Sequence, residues 1–81
     1  MKYSKVIKIT KNFTLVDHYY RGQHSYELVL SVAFRFRSDY SQSDVDSFFI
    51  NTTSKKPHRY IFNNLIDAEQ YFHWAIIRWG S

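Results

Sequence analysis

The chain has 81 residues and a formal net charge of +4, with eleven Lys and Arg residues against seven Asp and Glu residues. This length predicts a single domain, residues 1–81, with a thin core, because domains of this size bury only about 60–65% of the surface of the unfolded chain. Cysteine is absent, which excludes disulfide bonds and thiolate metal sites.

The hydropathy pattern contains no candidate membrane segment. No stretch approaches the roughly 20 apolar residues that a membrane-spanning helix needs. The first ten residues alternate Lys with apolar residues, whereas a signal peptide has an unbroken apolar core. We therefore expect a soluble, cytoplasmic protein that does not bind membranes.

Residues 3–9 and 13–20 are predicted to form the first two strands. A three-residue loop, Thr10 to Asn12, connects them, since Asn tolerates the left-handed backbone conformation. This loop pairs Ile9 with Phe13, Ile7 with Leu15, and Lys5 with Asp17. A two-residue loop would turn Ile7 and Ile9 away from the core side of the sheet.

The stretch from His24 to Arg37 predicts a long central strand. Its even positions are mostly large and apolar, and its odd positions are smaller or more polar. This period-two alternation is typical of a strand with one buried face. With Arg21 and Gly22 as a two-residue hairpin loop, Leu15 faces Leu28, Phe13 faces Leu30 and Tyr19 faces His24.

The second half of this strand, Val32 to Arg37, extends beyond its partner strand. It needs another neighbour, because an open strand edge promotes aggregation. Arg59 to Phe62 alternates in the same way and is predicted to pair there as a fourth strand.

The region between these strands, residues 38–53, is ambiguous. Ser41 followed by Asp44 favours the start of a short helix at about 44–52. The run from Phe48 to Ile50, followed by two threonines, also suits a strand in a hairpin with residues 59–62.

A helix is predicted over residues 64–79. Asn64 is suited to cap it, and Gly80 is suited to end it. One apolar stripe should cover the sheet: Leu65, Ala68, Phe72, Ala75, Ile76 and Trp79. Three apolar residues lie off this stripe: Ile66, Trp74 and Ile77. They should either pack against the short helix or contact a binding partner.

Together these elements predict an α+β fold, an antiparallel three- to four-stranded β-meander with one face covered by the C-terminal helix. The opposite sheet face should be mildly basic and mixed in character, with Val6, Lys8, His18, Tyr20 and Arg35 among its residues. That face is either simply solvated or a flat docking surface.

No catalytic, metal or cofactor site is expected. His18 and His24 should lie on opposite faces of the sheet, whereas zinc needs three or four converging ligands. The two glycines, Gly22 and Gly80, are too far apart to form a phosphate-binding loop. We therefore predict a protein that is not an enzyme and binds no metal or cofactor.

The residue content favours a binding role. Aromatic residues make up 20% of the chain, more than a small core needs, and Tyr, Trp and Arg are enriched at interface hot spots. We predict an inhibitor or adaptor that docks on a larger protein or nucleoprotein complex. Phage anti-CRISPR inhibitors are comparable in size and composition, although no motif is shared. The predicted contact residues are Arg35, Arg37, Lys55, Lys56, Arg59 and Trp74.

Two further interpretations stay open. Basic residues beside aromatic ones also suit RNA or single-stranded DNA, because cations contact phosphates and rings stack on bases. In addition, Ile66, Trp74 and Ile77 could join two copies of the C-terminal helix in a homodimer, which is compatible with either binding role.

Overall fold

The computed structural model describes residues 1–50, 52, 54–56 and 58–81. The α+β fold class is confirmed, and a three-residue edge strand joins the predicted ones. The elements in chain order are β1 (Lys2–Ile9), β2 (Phe13–Tyr20), β3 (Gln23–Leu30), α1 (Val32–Arg35), α2 (Gln42–Phe48), β4 (Ser54–Lys56), β5 (Arg59–Phe62) and α3 (Leu65–Trp79).

The strands form one antiparallel sheet in the order β1-β2-β3-β5-β4. All three helices pack on one face of it, the covered face, through Phe34 of α1, Phe49 after α2 and Phe72 of α3. These rings join Phe13, Leu15, Leu28 and Tyr60 in the core, each of which is at most 1% exposed. Among the described residues, six of the twelve buried apolar core residues are aromatic, which explains part of the high aromatic content.

The β2–β3 hairpin forms in the predicted register. Leu15 pairs with Leu28, Phe13 with Leu30, and Tyr19 with His24. The loop residues Arg21 and Gly22 both have positive φ, at 52° and 77°. Two consecutive positive φ values are typical of the two-residue turn whose twist matches that of the flanking strands.

The predicted β1–β2 register is correct at Lys5, which pairs with Asp17, but wrong nearer the loop. A bulge between Val6 and Lys8 shifts the pairing, so that Lys8 lies opposite Leu15 and Ile9 lies opposite Thr14. Ile7 still packs against the core, whereas Ile9 is 71% exposed.

The reason for this shift is the loop itself. The amide of Thr10 donates to the carbonyl of Phe13 at 2.8 Å, and the amide of Phe13 donates to the Thr10 hydroxyl at 3.1 Å. These bonds close the loop around Lys11 and Asn12. The side chain of Asn12, only 5% exposed, donates to the carbonyl of Gly80 at 3.1 Å and so fixes the loop against the end of α3.

The long strand predicted from His24 to Arg37 is also wrong in its second half, because β3 ends at Leu30. Ser31 caps α1: its hydroxyl accepts from the amide of Phe34 at 3.1 Å and donates to the carbonyl of Lys11 at 2.7 Å. Arg59–Phe62 therefore pairs not with residues 32–37 but with Tyr26–Val29.

The two longer helices follow their predicted caps. Ser41 begins α2 by accepting from the amide of Asp44 at 3.3 Å. Asn64 begins α3 by accepting from the amide of Asp67 at 2.8 Å, and Gly80 ends it with φ of 92°. The short helix ends at Phe48, earlier than predicted, and Asn51 in its predicted last turn lies outside the described residues.

Candidate functional site

The sheet face opposite the helices, which we call the outer face, is left uncovered by the helices. Its members follow from the strand registers and from the alternation of side chains along each strand. They are Lys2, Ser4, Val6, Ile9, Thr14, Val16, His18, Tyr20, Gln23, Ser25, Glu27, Val29, Arg59 and Ile61. Lys8, which was predicted here, lies on the covered side instead, where its Nζ is 3.5 Å from the Glu69 carboxylate of α3.

A row of polar side chains crosses the outer face from β1 to β5. The hydroxyl of Ser4 lies 2.7 Å from Nδ1 of His18, and Nε2 of His18 lies 3.0 Å from a carboxylate oxygen of Glu27. The second carboxylate oxygen of Glu27 is 3.5 Å from the guanidinium of Arg59. Four side chains on four neighbouring strands are thus fixed in one network.

Glu27 is the electrostatic centre of this network. Its side chain is only 10% exposed, and a buried carboxylate is stable only when partners compensate its charge. His18 and Arg59 cover it from two sides. No other carboxylate lies on the outer face among the described residues, so its other described side chains are basic, polar or apolar.

An exposed tyrosine marks the far end of the outer face. Tyr20 is 52% exposed, with Nζ of Lys2 at 5.8 Å and the guanidinium of Arg21 at 5.1 Å from its ring centre. β5 pairs only with Tyr26–Val29 of β3, so the hairpin beyond Tyr26 has β1 as its one described neighbouring strand. The cations and the ring therefore lie on an exposed part of the sheet.

A second aromatic group lies behind this hairpin, on the covered side. His24 is hydrogen-bonded to Asp17 at 2.8 Å, and Tyr3 stacks on Tyr19 with ring centres 5.1 Å apart. Burial raises the pKa of Tyr26 beside this group, and the negative charge of Asp17 raises it further. His18 and His24 lie on opposite faces, as predicted, and the described residues contain no group of three or more potential metal ligands.

The structure separates the predicted contact residues. Arg59 lies on the outer face, whereas Trp74 is on α3, on the opposite side of the sheet, and is 45% exposed. Arg35 is half-buried in α1. The backbones of Lys55 and Lys56 pair with Tyr60 and Arg59, and their side chains lie outside the described part of the chain.

Arg37 is held by contacts within the chain. Its guanidinium donates two bonds to the carboxylate of Asp39, at 2.9 and 2.7 Å, and a third to the carbonyl of Trp79 at 2.8 Å. The hydrogen bonds from Arg37 hold the pKa of Asp39 below its ordinary value. This arrangement connects the segment after α1 to the end of α3, so Arg37 has a structural role.

The sequence did not single out Ser4, His18 and Glu27 as a group, although a signal was present. Ser4 pairs with His18 in the correctly predicted part of the β1–β2 register, and Glu27 is the diagonal neighbour of His18 in the β2–β3 register. Combining the two registers would have placed the three side chains together.

A serine, a histidine and a carboxylate in one chain of hydrogen bonds also occur in serine hydrolases. Here the adjacent groove is lined by His18, Tyr20, Gln23, His24, Ser25 and Asn63, and the Ser4 hydroxyl is not part of its wall. The arrangement therefore orients His18 over the Glu27 carboxylate, with the Ser4 hydroxyl on the other side of the imidazole.

Comparisons of the chain with protein families, with curated proteins and with solved structures found no match. Within the described residues, no helix has the length and apolar character needed to cross a membrane.

Proposed function

We propose that this chain is a non-enzymatic binding protein, an inhibitor or adaptor, that uses its outer face to dock on an acidic surface of a larger protein or nucleoprotein complex. One observation carries the proposal: a sheet of five strands is covered by helices on one face only, and the other face holds just one carboxylate among its described residues, already neutralised.

The apolar part of the outer face supports contact with a protein. Val6 is 53% exposed and pairs with the half-buried Val16. Val29 and Ile61, on the next two strands, are also half-buried and lie beside the paired Glu27. Interfaces commonly combine apolar contacts with polar groups in this way.

The charge of the surface specifies the kind of partner. The chain carries a net charge of +4. On the outer face Arg59 offsets Glu27, which leaves the charge of Lys2. Arg21 lies beside Tyr20 at the adjoining turn. Complementary charges accelerate association and exclude partners of like charge. An acidic protein surface is therefore the favoured partner, and binding should weaken as salt increases.

A matched pair of variants tests this proposal. Val6→Glu adds a charge to the centre of the outer face, whereas Ile50→Glu, at a residue that is 66% exposed, adds the same charge after α2 on the covered side. We expect Val6→Glu to reduce capture of a specific protein from a lysate by about tenfold or more, and Ile50→Glu to leave it unchanged. Equal losses from both variants, or a loss from Ile50→Glu alone, would refute docking through the outer face.

A second candidate, single-stranded nucleic acid, is favoured by the exposed Tyr20 ring with Lys2 and Arg21 beside it. An exposed ring among cations is the arrangement that single strands bind. In this case Arg21→Ala should weaken binding of a labelled oligonucleotide and reduce its salt dependence. Lys11→Ala, in the loop at the other end of β2, is the control and should have little effect. Absence of oligonucleotide binding at low salt would eliminate this candidate.

A further inference from the structure

The outward side of α3 carries an apolar stripe that nothing in the described chain covers. Ile66 is 78% exposed, Ile77 is 69% exposed and Trp74 is 45% exposed. Successive residues of a helix are about 100° apart around its axis. The side of α3 opposite the buried Ala68, Phe72 and Ala75 therefore carries Ile66, Gln70, His73, Trp74 and Ile77. Single exposed apolar residues are ordinary, but three of them on one side of a helix, with Gln70 and His73 between them, suit an interface.

The spacing within the stripe is compatible with a second copy of the same helix. In an antiparallel pair about a twofold axis between Tyr71 and Phe72, Ile66 of one copy lies opposite Ile77 of the other. Gln70 then lies opposite His73, so an amide and an imidazole meet at the centre. A twofold interface has to be complementary to itself, and this stripe meets that condition.

The charges beside the stripe give a second, independent reason. Asp67 and Arg78 are exposed and lie on the same flank of α3, at its start and at its end. In the antiparallel pair, Asp67 of one copy lies within about two residues, or about 3 Å along the axis, of Arg78 of the other. Two symmetric ion pairs would therefore border the apolar contact. In a parallel pair, the twofold axis would place the Asp67 side chains of the two copies on opposite sides of the contact, and likewise the Arg78 side chains, so these ion pairs would not form.

We infer that α3 binds a second copy of this chain, antiparallel, through Ile66, Trp74 and Ile77 with Asp67–Arg78 pairs at the flank. Because α3 lies on the covered side of the sheet, the two outer faces of the dimer point away from each other and stay free. The inference does not depend on the function proposed for the outer face. The contact is small, so we expect dissociation constants in the range of about 1–100 µM.

Sedimentation or light scattering at increasing concentration tests the inference. The mass should rise from the 9.8 kDa of one chain toward twice that value between about 1 µM and about 1 mM. Ile77→Asp should keep the protein monomeric throughout this range. Val6→Asp, which adds the same charge on the outer face, should leave the association unchanged. A monomer at every concentration, or an equal loss from both variants, would overturn the inference.

A charge exchange tests the antiparallel arrangement itself. Asp67→Arg and Arg78→Asp should each weaken association by roughly two- to fivefold, since each turns an attraction into a repulsion. The double variant should restore association toward the native value. Thermal melts of the dilute monomers separate this effect from any loss of helix stability, because both single changes also oppose the helix dipole. A double variant that associates less well than either single variant would overturn the antiparallel pairing.

Discussion

The ring of Phe49 stacks on the ring of Tyr60, with centres 4.1 Å apart and planes inclined by 14°. Phe49 follows α2 and Tyr60 lies at the centre of β5, so this contact joins the short helix to the sheet. Both side chains are at most 1% exposed. The Tyr60 hydroxyl also reaches Asp46 of α2, at 3.4 Å.

We predict that Phe49→Ala lowers the free energy of unfolding by about 3–5 kcal/mol, because truncation of a buried Phe removes its apolar contacts and leaves a cavity. Urea denaturation measures this change. The adjacent Ile50 is 66% exposed, so Ile50→Ala is a matched control that should cost at most about 0.5 kcal/mol. Similar losses from both variants would show that Phe49 is not part of the core.

A second prediction concerns alkaline pH. Burial raises the pKa of Tyr60 far above that of an exposed tyrosine, and the nearby negative charge of Asp46 raises it further. The folded state therefore holds the phenolic proton more tightly than the unfolded state. The stability that this raised pKa contributes is fully present below the ordinary tyrosine pKa. It is lost as the pH rises through the pKa of Tyr60 in the folded state.

The free energy of unfolding should thus fall as the pH increases above about 10. In Tyr60→Phe the fall should be less steep, although the variant loses about 0.5–1.5 kcal/mol at neutral pH with the hydrogen bond to Asp46. Denaturant titrations at a series of alkaline pH values compare the two proteins. If the free energy of unfolding falls equally steeply with pH in both proteins, the alkaline loss of stability does not come from the Tyr60 hydroxyl.

A third prediction concerns the contact between Arg37 and Asp39. Arg37→Lys should lower the melting temperature, because Lys cannot reproduce the two parallel bonds to Asp39 while also reaching the carbonyl of Trp79. The variant should still bind the partner of the outer face. Loss of partner binding with an unchanged melting temperature would instead support the predicted role of Arg37 as a contact residue.

The pH dependence of this contact has a defined sign. The pKa of Asp39 is lowered mainly by its hydrogen bonds from Arg37, so the stabilisation is present above the ordinary Asp pKa. It is lost as the pH falls through the lowered value. The difference in melting temperature between the native protein and Asp39→Asn should therefore shrink in strong acid, and a constant difference would argue against the ion pair.

A fourth prediction concerns the Ser4 hydroxyl. Although Ser4, His18 and Glu27 form one hydrogen-bonded chain, the hydroxyl is outside the adjacent groove. We expect no reaction of the protein with a fluorophosphonate probe, and we expect Ser4→Ala to retain partner binding. Labelling that disappears in both Ser4→Ala and His18→Ala would indicate catalysis and contradict the proposed non-enzymatic function.

Sequence patterns predicted the elements whose ends are marked by local chemistry. The Asn64 cap and Gly80 defined α3, and the Arg21–Gly22 turn fixed the β2–β3 register. The α+β fold with one covered face followed from these two features, because a strand pair and an amphipathic helix left few arrangements open.

The errors arose where different structures produce the same pattern. Phe34 continues the alternation of β3 and is buried in α1, so the pattern could not reveal that the strand ends before Ser31. Ile7 and Ile9 are both apolar, which conceals a bulge that buries one and exposes the other. The polar row depended on two registers at once, one of which was only partly correct.

The most direct test of the central claim uses a photoreactive amino acid in place of Val6 on the outer face, with the same replacement of Ile50 on the covered side as the reference. We predict that irradiation cross-links a specific acidic protein from position 6 and not from position 50. A specific cross-link from position 50 with none from position 6 would contradict docking through the outer face.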